Sequence, residues 1–175
     1  AHHQALLTEL NDLDSDEDKL DEIRNQLNNS QQAYLNHAKK LSQSRSRYAK
    51  ELDKKVTQSI HELSMPKGKF SIAVNFNESV ISPHGCDGIE FLVTTNPGQP
   101  LQPIAKVASG GELSRVMLAL NVCSGYPDMP TLAFDEVDAG IGGQTARSVG
   151  KLLKELAYDH QVLVVTHLAQ VAAFA

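Results

Sequence analysis

The sequence predicts an α/β protein: a mixed sheet with a parallel βαβ core, preceded by a long coiled-coil helix. Three observations carry this expectation. All 11 Gly and all 7 Pro of the 175 residues fall after residue 64, so two bodies of different architecture are expected. Over the first third, apolar residues recur at every seventh position. Beyond residue 65 the apolar period changes to two, and the last third reads strand, helix, strand. The expected division is an arm over residues 1–65 and a globular part over 66–175.

In the arm, Leu6, Leu13, Leu20, Leu27, Tyr34, Leu41 and Tyr48 keep one seam on a slightly under-wound helix. A second seam is patchy: Leu10, Ala38 and Leu52 fit it, whereas Glu17, Arg24, Gln31 and Arg45 do not. A weak seam suits an antiparallel arm or a helix leaning on another segment better than a self-sufficient zipper. Ser15 and Asp18 have capping-box spacing, which predicts a break near Asn11–Ser15. Closer to the globular part the helix turns basic, with Lys39, Lys40, Arg45, Arg47, Lys50, Lys54 and Lys55. Such a run is either a solvated face or a set of phosphate contacts to DNA.

The globular part opens with Phe70, Ile72, Val74 and Phe76 alternating with Ser71, Ala73 and Asn75, the pattern of a strand. Ile89, Phe91 and Val93 repeat it, and the Pro, Gly and Asn between them predict a loop and antiparallel pairing. A Pro-rich stretch over 96–103 leads to a helix with Leu113, Val116, Met117 and Leu120 at helical spacing. Thr131–Phe134 is a short buried strand; Val149, Leu152, Leu153 and Leu156 mark a helix; Val162–Val165 is a second buried strand. A crossover of this length makes the two strands parallel and right-handed, with their C-terminal ends on one rim. Asp135 and Glu136 end one strand, Thr166 and His167 the other, and that rim is where open α/β sheets bind ligands.

A net charge of -5 argues against a small, strongly basic nucleic-acid module. Cys86 and Cys123 have no redox or metal-type spacing, no targeting segment is recognisable at the start, and no apolar run approaches the roughly 20 residues of a membrane helix. A reducing, cytoplasmic setting is expected. The chain starts without Met and ends within an expected helix, and so reads as a piece of a longer protein.

Three segments carry chemistry. In Ala108-Ser109-Gly110-Gly111-Glu112-Leu113-Ser114-Arg115, two glycines expose backbone N–H groups at a helix N-terminus, which favours an anion such as phosphate. The competing reading is a plain capping box, Ser109 to Glu112. In Thr131-Leu132-Ala133-Phe134-Asp135-Glu136, a carboxylate pair at a strand end can divide labour, one holding Mg²⁺ and the other taking a proton from water. Solvated loop acids are the alternative. In Val164-Val165-Thr166-His167 the His gains weight from sharing a rim with those acids.

In this order and spacing the segments resemble the signature, Walker B and switch-His motifs of ABC-type ATPases. The long helix entering the signature half directly, without membrane features, resembles the SMC-like branch. Asp138-Ala139-Gly140-Ile141-Gly142 departs from the Ala-Ala-Leu-Asp usual in SMC proteins and resembles the branch members that serve recombinational repair of DNA double-strand breaks. The resemblance implies the C-terminal half of an ABC-type ATPase head, with ATP and Mg²⁺ as cofactors. It implies that Ser109, Gly110, Gly111 and Glu112 grip the γ-phosphate of ATP held by a second head in an ATP-sandwiched homodimer. It assigns Mg²⁺ to Asp135, the catalytic base to Glu136, the D-loop to Asp138 and γ-phosphate sensing to His167. DNA is the implied partner, and a bacterial, nucleoid-associated location follows. Ala169 stands where Pro is expected. No G-x-x-x-x-G-K-[ST] is present, since Gly68-Lys69 runs into Phe70, so the phosphate loop is expected in an N-terminal half and this piece alone is expected to be inactive. The alternatives are another SMC-like ATPase of chromosome maintenance or an inactive coiled-coil adaptor; the retained Asp135 and Glu136 count against the adaptor.

Overall fold

The computed structural model describes residues 2–96, 98–107, 109–125 and 129–175, without the side chains of residues 2 and 4–18. The expected seam positions Leu6, Leu10, Leu13 and Glu17, the capping pair Ser15 and Asp18, and Ala108 therefore lie outside the described residues or side chains. Helix α1 spans His2–Glu62 as one element, so the break expected at Asn11–Ser15 is absent. Without Gly or Pro to interrupt it, each further residue adds a hydrogen bond at little cost once the helix exists.

The residues group into two compact units: those up to Gln43 with Phe76–Asp87, and Ser44–Asn75 with Gly88–Ala175. In the first unit, the loop 77–86 is fastened to α1. The Tyr34 hydroxyl donates to the Ser82 carbonyl at 3.0 Å and accepts from the Ser82 amide at 3.1 Å. The buried Cys86 thiol donates to the same hydroxyl at 3.4 Å, and Lys39 pairs with Glu78 at 2.7 Å. The seam residues Leu20 and Leu27 are exposed.

In the second unit α1 buries Ala49, Leu52, Val56 and Ile60. These follow helical spacing and not the principal seven-residue seam, whose Tyr48 is exposed. The globular core, more than a partner helix, selects the buried face here.

Three strands, β1 (Lys69–Phe76), β2 (Asp87–Thr94) and β3 (Gln102–Pro103), lie in the order β1-β2-β3, with β2 and β3 antiparallel. Strand β3 was hidden from the periodicity by its Pro, which an edge strand tolerates. Of the apolar face expected on β2 only Val93 is buried. Ile89 and Phe91 instead line an open apolar groove with Leu52, Ile72 and Val74, and Phe91 stacks on Phe70 at 5.9 Å.

A 3-10 turn at Ile104–Lys106 precedes α2 (Gly110–Ser124). Val116 and Leu120 are buried as expected, but Met117 is exposed and Leu118 and Ala119 take its place. The buried arc of α2 is wide, and α2 packs against α3.

Strand β4 (Thr131–Phe134), α3 (Gly143–Leu156) and β5 (Gln161–Val164) form the expected βαβ unit, parallel and in register from Thr131↔Gln161 to Phe134↔Val164. Strand β5 lies one residue earlier than expected, although the Val165 amide still donates to the Phe134 carbonyl at 3.0 Å. Among the described residues, parallel and antiparallel pairing are thus carried by two separate sheets. Helix α4 (Ala169–Ala172) begins at the residue where Pro was expected; both types suit a first helical position.

Candidate functional site

The matched ends of β4 and β5 bring their polar continuations together. Asp138, 2% exposed, bridges them: its Oδ2 accepts a short hydrogen bond from Thr166 Oγ1 and another from the His167 amide at 3.2 Å. The His167 Nδ1 lies 3.4 Å from the same oxygen, with the ring itself largely in solvent. Burial alone would raise the Asp138 carboxyl; the hydrogen bonds from Thr166 and the His167 amide, aided by the imidazole, outweigh it and hold the group below the usual range.

The turn before Asp138 is held under strain. Glu136 has φ 55, a left-handed conformation that costs a non-glycine residue of order 1–3 kcal/mol. Two hydrogen bonds keep it there: its amide donates to Asp135 Oδ1 at 2.9 Å, and its carbonyl accepts from the Ala139 amide at 3.0 Å. Asp135 and Glu136 are both exposed. Strain of this kind persists where the surroundings over-determine the backbone, commonly at functional sites.

The start of α2 packs directly on this turn. Ser109 is the extended N-cap, and its hydroxyl accepts from the Glu112 amide at 3.4 Å. A Cβ at Gly110 would lie 2.5 Å from Glu136 Oε2, and one at Gly111 would lie 2.8 Å from the Ala139 Cβ and 3.2 Å from the Ala139 and Glu136 carbonyl oxygens. Ser109 thus caps the helix, as its spacing to Glu112 predicts, while the glycines let the helix end reach the turn. Beside this end of α2 is a cleft of about 470 Å³ whose lining includes Thr94, Asn96, Lys106, Ser109 and Glu112.

One residue of the junction was not singled out from sequence. Arg115 is 6% exposed and donates from Nη1 to the Ala139 carbonyl at 2.8 Å, while its Nε has no hydrogen-bond partner among the described residues. Burial pushes the guanidinium below its ordinary pKa, with Glu112 opposing the shift. Its position one helical turn beyond Gly111 and Glu112 was the available signal.

Chemically, the rim offers two exposed carboxylates, an exposed imidazole and a glycine-lined helix N-terminus. Among the described residues no cluster of three or more His, Cys, Asp or Glu could hold a metal by itself. Mg²⁺ does not require one, since it commonly binds through one or two carboxylates with phosphates and waters completing the shell. Asp135, with Oδ1 steadied by the Glu136 amide, fits that role.

No protein-family model matches the chain. The DNA repair protein RecN of Vibrio cholerae is 55% identical over 172 residues, covering 98% of this chain and 31% of that protein. RecN of Xylella fastidiosa is 47% identical over 156 residues, covering 88% of this chain and 28% of that protein. The chain thus spans roughly three tenths of the length of these curated relatives. Among solved structures, an SMC head bound to the C-winged helix domain of ScpA aligns with a TM-score of 0.50 and 23% identity, over 74% of this chain and 38% of that one. That likeness is one of fold.

Proposed function

We infer the function of this chain from its family: it matches the C-terminal part of the DNA repair protein RecN over nearly its whole length, and we propose that it supplies the signature and Walker B half of an SMC-like ATPase head acting in DNA repair. The observation that carries this reading is the junction of Gly110 and Gly111 with the Glu136–Ala139 turn, which Asp138 in turn ties to Thr166 and His167. Three motifs far apart in sequence meet on one rim, with a strained acid at the centre.

In the proposed mechanism Ser109, Gly110, Gly111 and Glu112 present the N-terminus of α2 to the γ-phosphate of ATP held by the head of a second copy, where unpaired N–H groups and the helix dipole favour the anion. Asp135 would hold Mg²⁺, which would supply neutralisation of the charge on the transferred phosphoryl group. Glu136, exposed at the turn, accepts the proton of the attacking water. Asp138 fixes the ends of β4 and β5 relative to each other, and His167 reaches the γ-phosphate from the β5 side. The phosphate loop comes from an N-terminal half outside this sequence, so the chain alone is proposed to be inactive.

DNA is the proposed partner, in recombinational break repair at the bacterial nucleoid. Arg47, Lys50 and Lys54 are exposed at three- and four-residue spacing, opposite the buried Leu52, Val56 and Ile60. Replacing all three by Ala in the full-length protein should weaken DNA binding and flatten its salt dependence; an unchanged affinity and salt slope would remove the arm root from the interface.

Glu136→Gln in the full-length protein tests the catalytic reading. It keeps size and hydrogen bonding but removes the proton acceptor, so turnover should fall by about 10²–10⁴-fold while ATP-dependent dimerisation persists. Near-normal turnover would overturn the assignment.

A further inference from the structure

We propose that Arg115 is a positioning residue, which transmits the placement of the signature helix to the turn carrying Glu136 through the Ala139 peptide. The inference rests on the ATPase reading above. It begins with an energetic oddity. Arg115 is 6% exposed, yet its one hydrogen bond among the described residues goes to a neutral carbonyl, and its buried Nε has no hydrogen-bond partner there. No carboxylate forms an ion pair with it among those residues. A charge buried on such terms costs stability, and an apolar side chain of similar length would fill the same space more favourably. Core packing therefore does not explain why an arginine stands here.

The identity of the acceptor does. Arg115 Nη1 holds the Ala139 carbonyl at 2.8 Å, and the amide of Ala139 holds the Glu136 carbonyl at 3.0 Å. The next link is Glu136 itself, at φ 55. Gly111, one turn earlier on the same helix, leaves no slack between α2 and Ala139, because a Cβ there would lie 2.8 Å from that of Ala139. On the other side Asp138 anchors the turn to Thr166 and His167. A shift of α2 on engaging a γ-phosphate thus draws on the Ala139 peptide while the far end stays fixed, and the rotation falls on Glu136. The guanidinium is the only side-chain tether from α2 to this turn among the described residues.

Arg115→Met and Arg115→Lys, made in the full-length protein beside wild type and Glu136→Gln, separate this from a packing role. R115M is expected to keep or raise Tm and to retain ATP-dependent dimerisation with KM little changed. Its kcat should fall by about 10–100-fold, the scale of a misplacement near 1 Å. R115K, keeping one donor but losing the fork, should recover part of kcat. Wild-type kcat in R115M overturns the inference, as does a parallel loss of Tm and kcat that R115K restores in full. If R115M does not fold, R115K decides: reduced kcat at unchanged KM upholds the tether, and wild-type kcat rejects it. Absent turnover in wild type, or normal turnover in Glu136→Gln, instead marks failure of the ATPase reading itself.

Discussion

The rim has a buried half and an open half, and they differ in kind. Gly111, Arg115 and Asp138 are buried, and each is defined by what it touches in the turn or at the strand ends. Asp135, Glu136 and His167 are exposed; the Glu136 amide donates to the Asp135 carboxylate, and the His167 amide donates to that of Asp138. The difference teaches that the groups able to do chemistry are not the groups that hold the geometry. A substitution in the open half should change reactivity and leave the fold, whereas one in the buried half should move the open half or destabilise it.

The sharpest break in that comparison sets Asp138 against Asp135. Removing the buried Asp138 carboxylate with Asp138→Ala takes away the acceptor shared by the half-buried Thr166 hydroxyl and the His167 amide, at a cost of about 1–3 kcal/mol. Asp135→Asn, in solvent, should leave the urea midpoint of the chain almost unchanged while weakening Mg²⁺-dependent nucleotide binding in the full-length protein. Equal midpoints for the two variants would show that the buried bridge does not stabilise the strand ends.

A smaller contrast lies within the glycine pair. A Cβ at Gly111 meets the Ala139 Cβ and two carbonyl oxygens, which cannot yield without moving the turn, so Gly111→Ala should cost about 1–3 kcal/mol. At Gly110 the obstacle is the far end of the flexible Glu136 side chain. Gly110→Ala should therefore spare stability and lower turnover by displacing the carboxylate. If urea melts rank the two the other way, the packing of α2 on the turn has been misread.

What was legible in the sequence follows the same division. Period and crossover length located β4 and β5 to within a residue and placed a helix between them, because a short apolar strand ending in acids has little freedom once a helix must carry the chain back to a parallel neighbour. Asp135, Glu136 and His167 were legible as strand-end polar groups, and Asp138 only through the family resemblance. Arg115 was not, since a cation on an amphipathic helix ordinarily faces water, and its spacing from Gly111 does not by itself reveal the approach of Ala139. The arm shows the converse error. Its seven-residue seam was read as the packing face, but near the globular core the 3.6-residue stripe of Leu52, Val56 and Ile60 is buried and Tyr48 is left outside. Strand β3 escaped because Pro103 suppresses the only local signal a two-residue edge strand could give.

The least of the expected effects is a pH dependence confined to the buried half. Asp138 has its folded pKa depressed below the unfolded value of roughly 3.9. Between the two values the unfolded chain binds the proton and the folded chain does not, so stability falls as pH falls. The contribution is complete above the unfolded pKa and is lost as pH drops through the folded one. Asp138→Asn removes the titrating group and should flatten this part of the acid limb when urea midpoints are followed from neutral pH down to about pH 2. Thr166→Val, which deletes one of the donors to Asp138 while leaving the His167 amide, should flatten it less. An acid limb as steep in Asp138→Asn as in the parent would assign the acid sensitivity to other carboxylates and leave Asp138 a hydrogen-bonding bridge whose charge contributes nothing measurable.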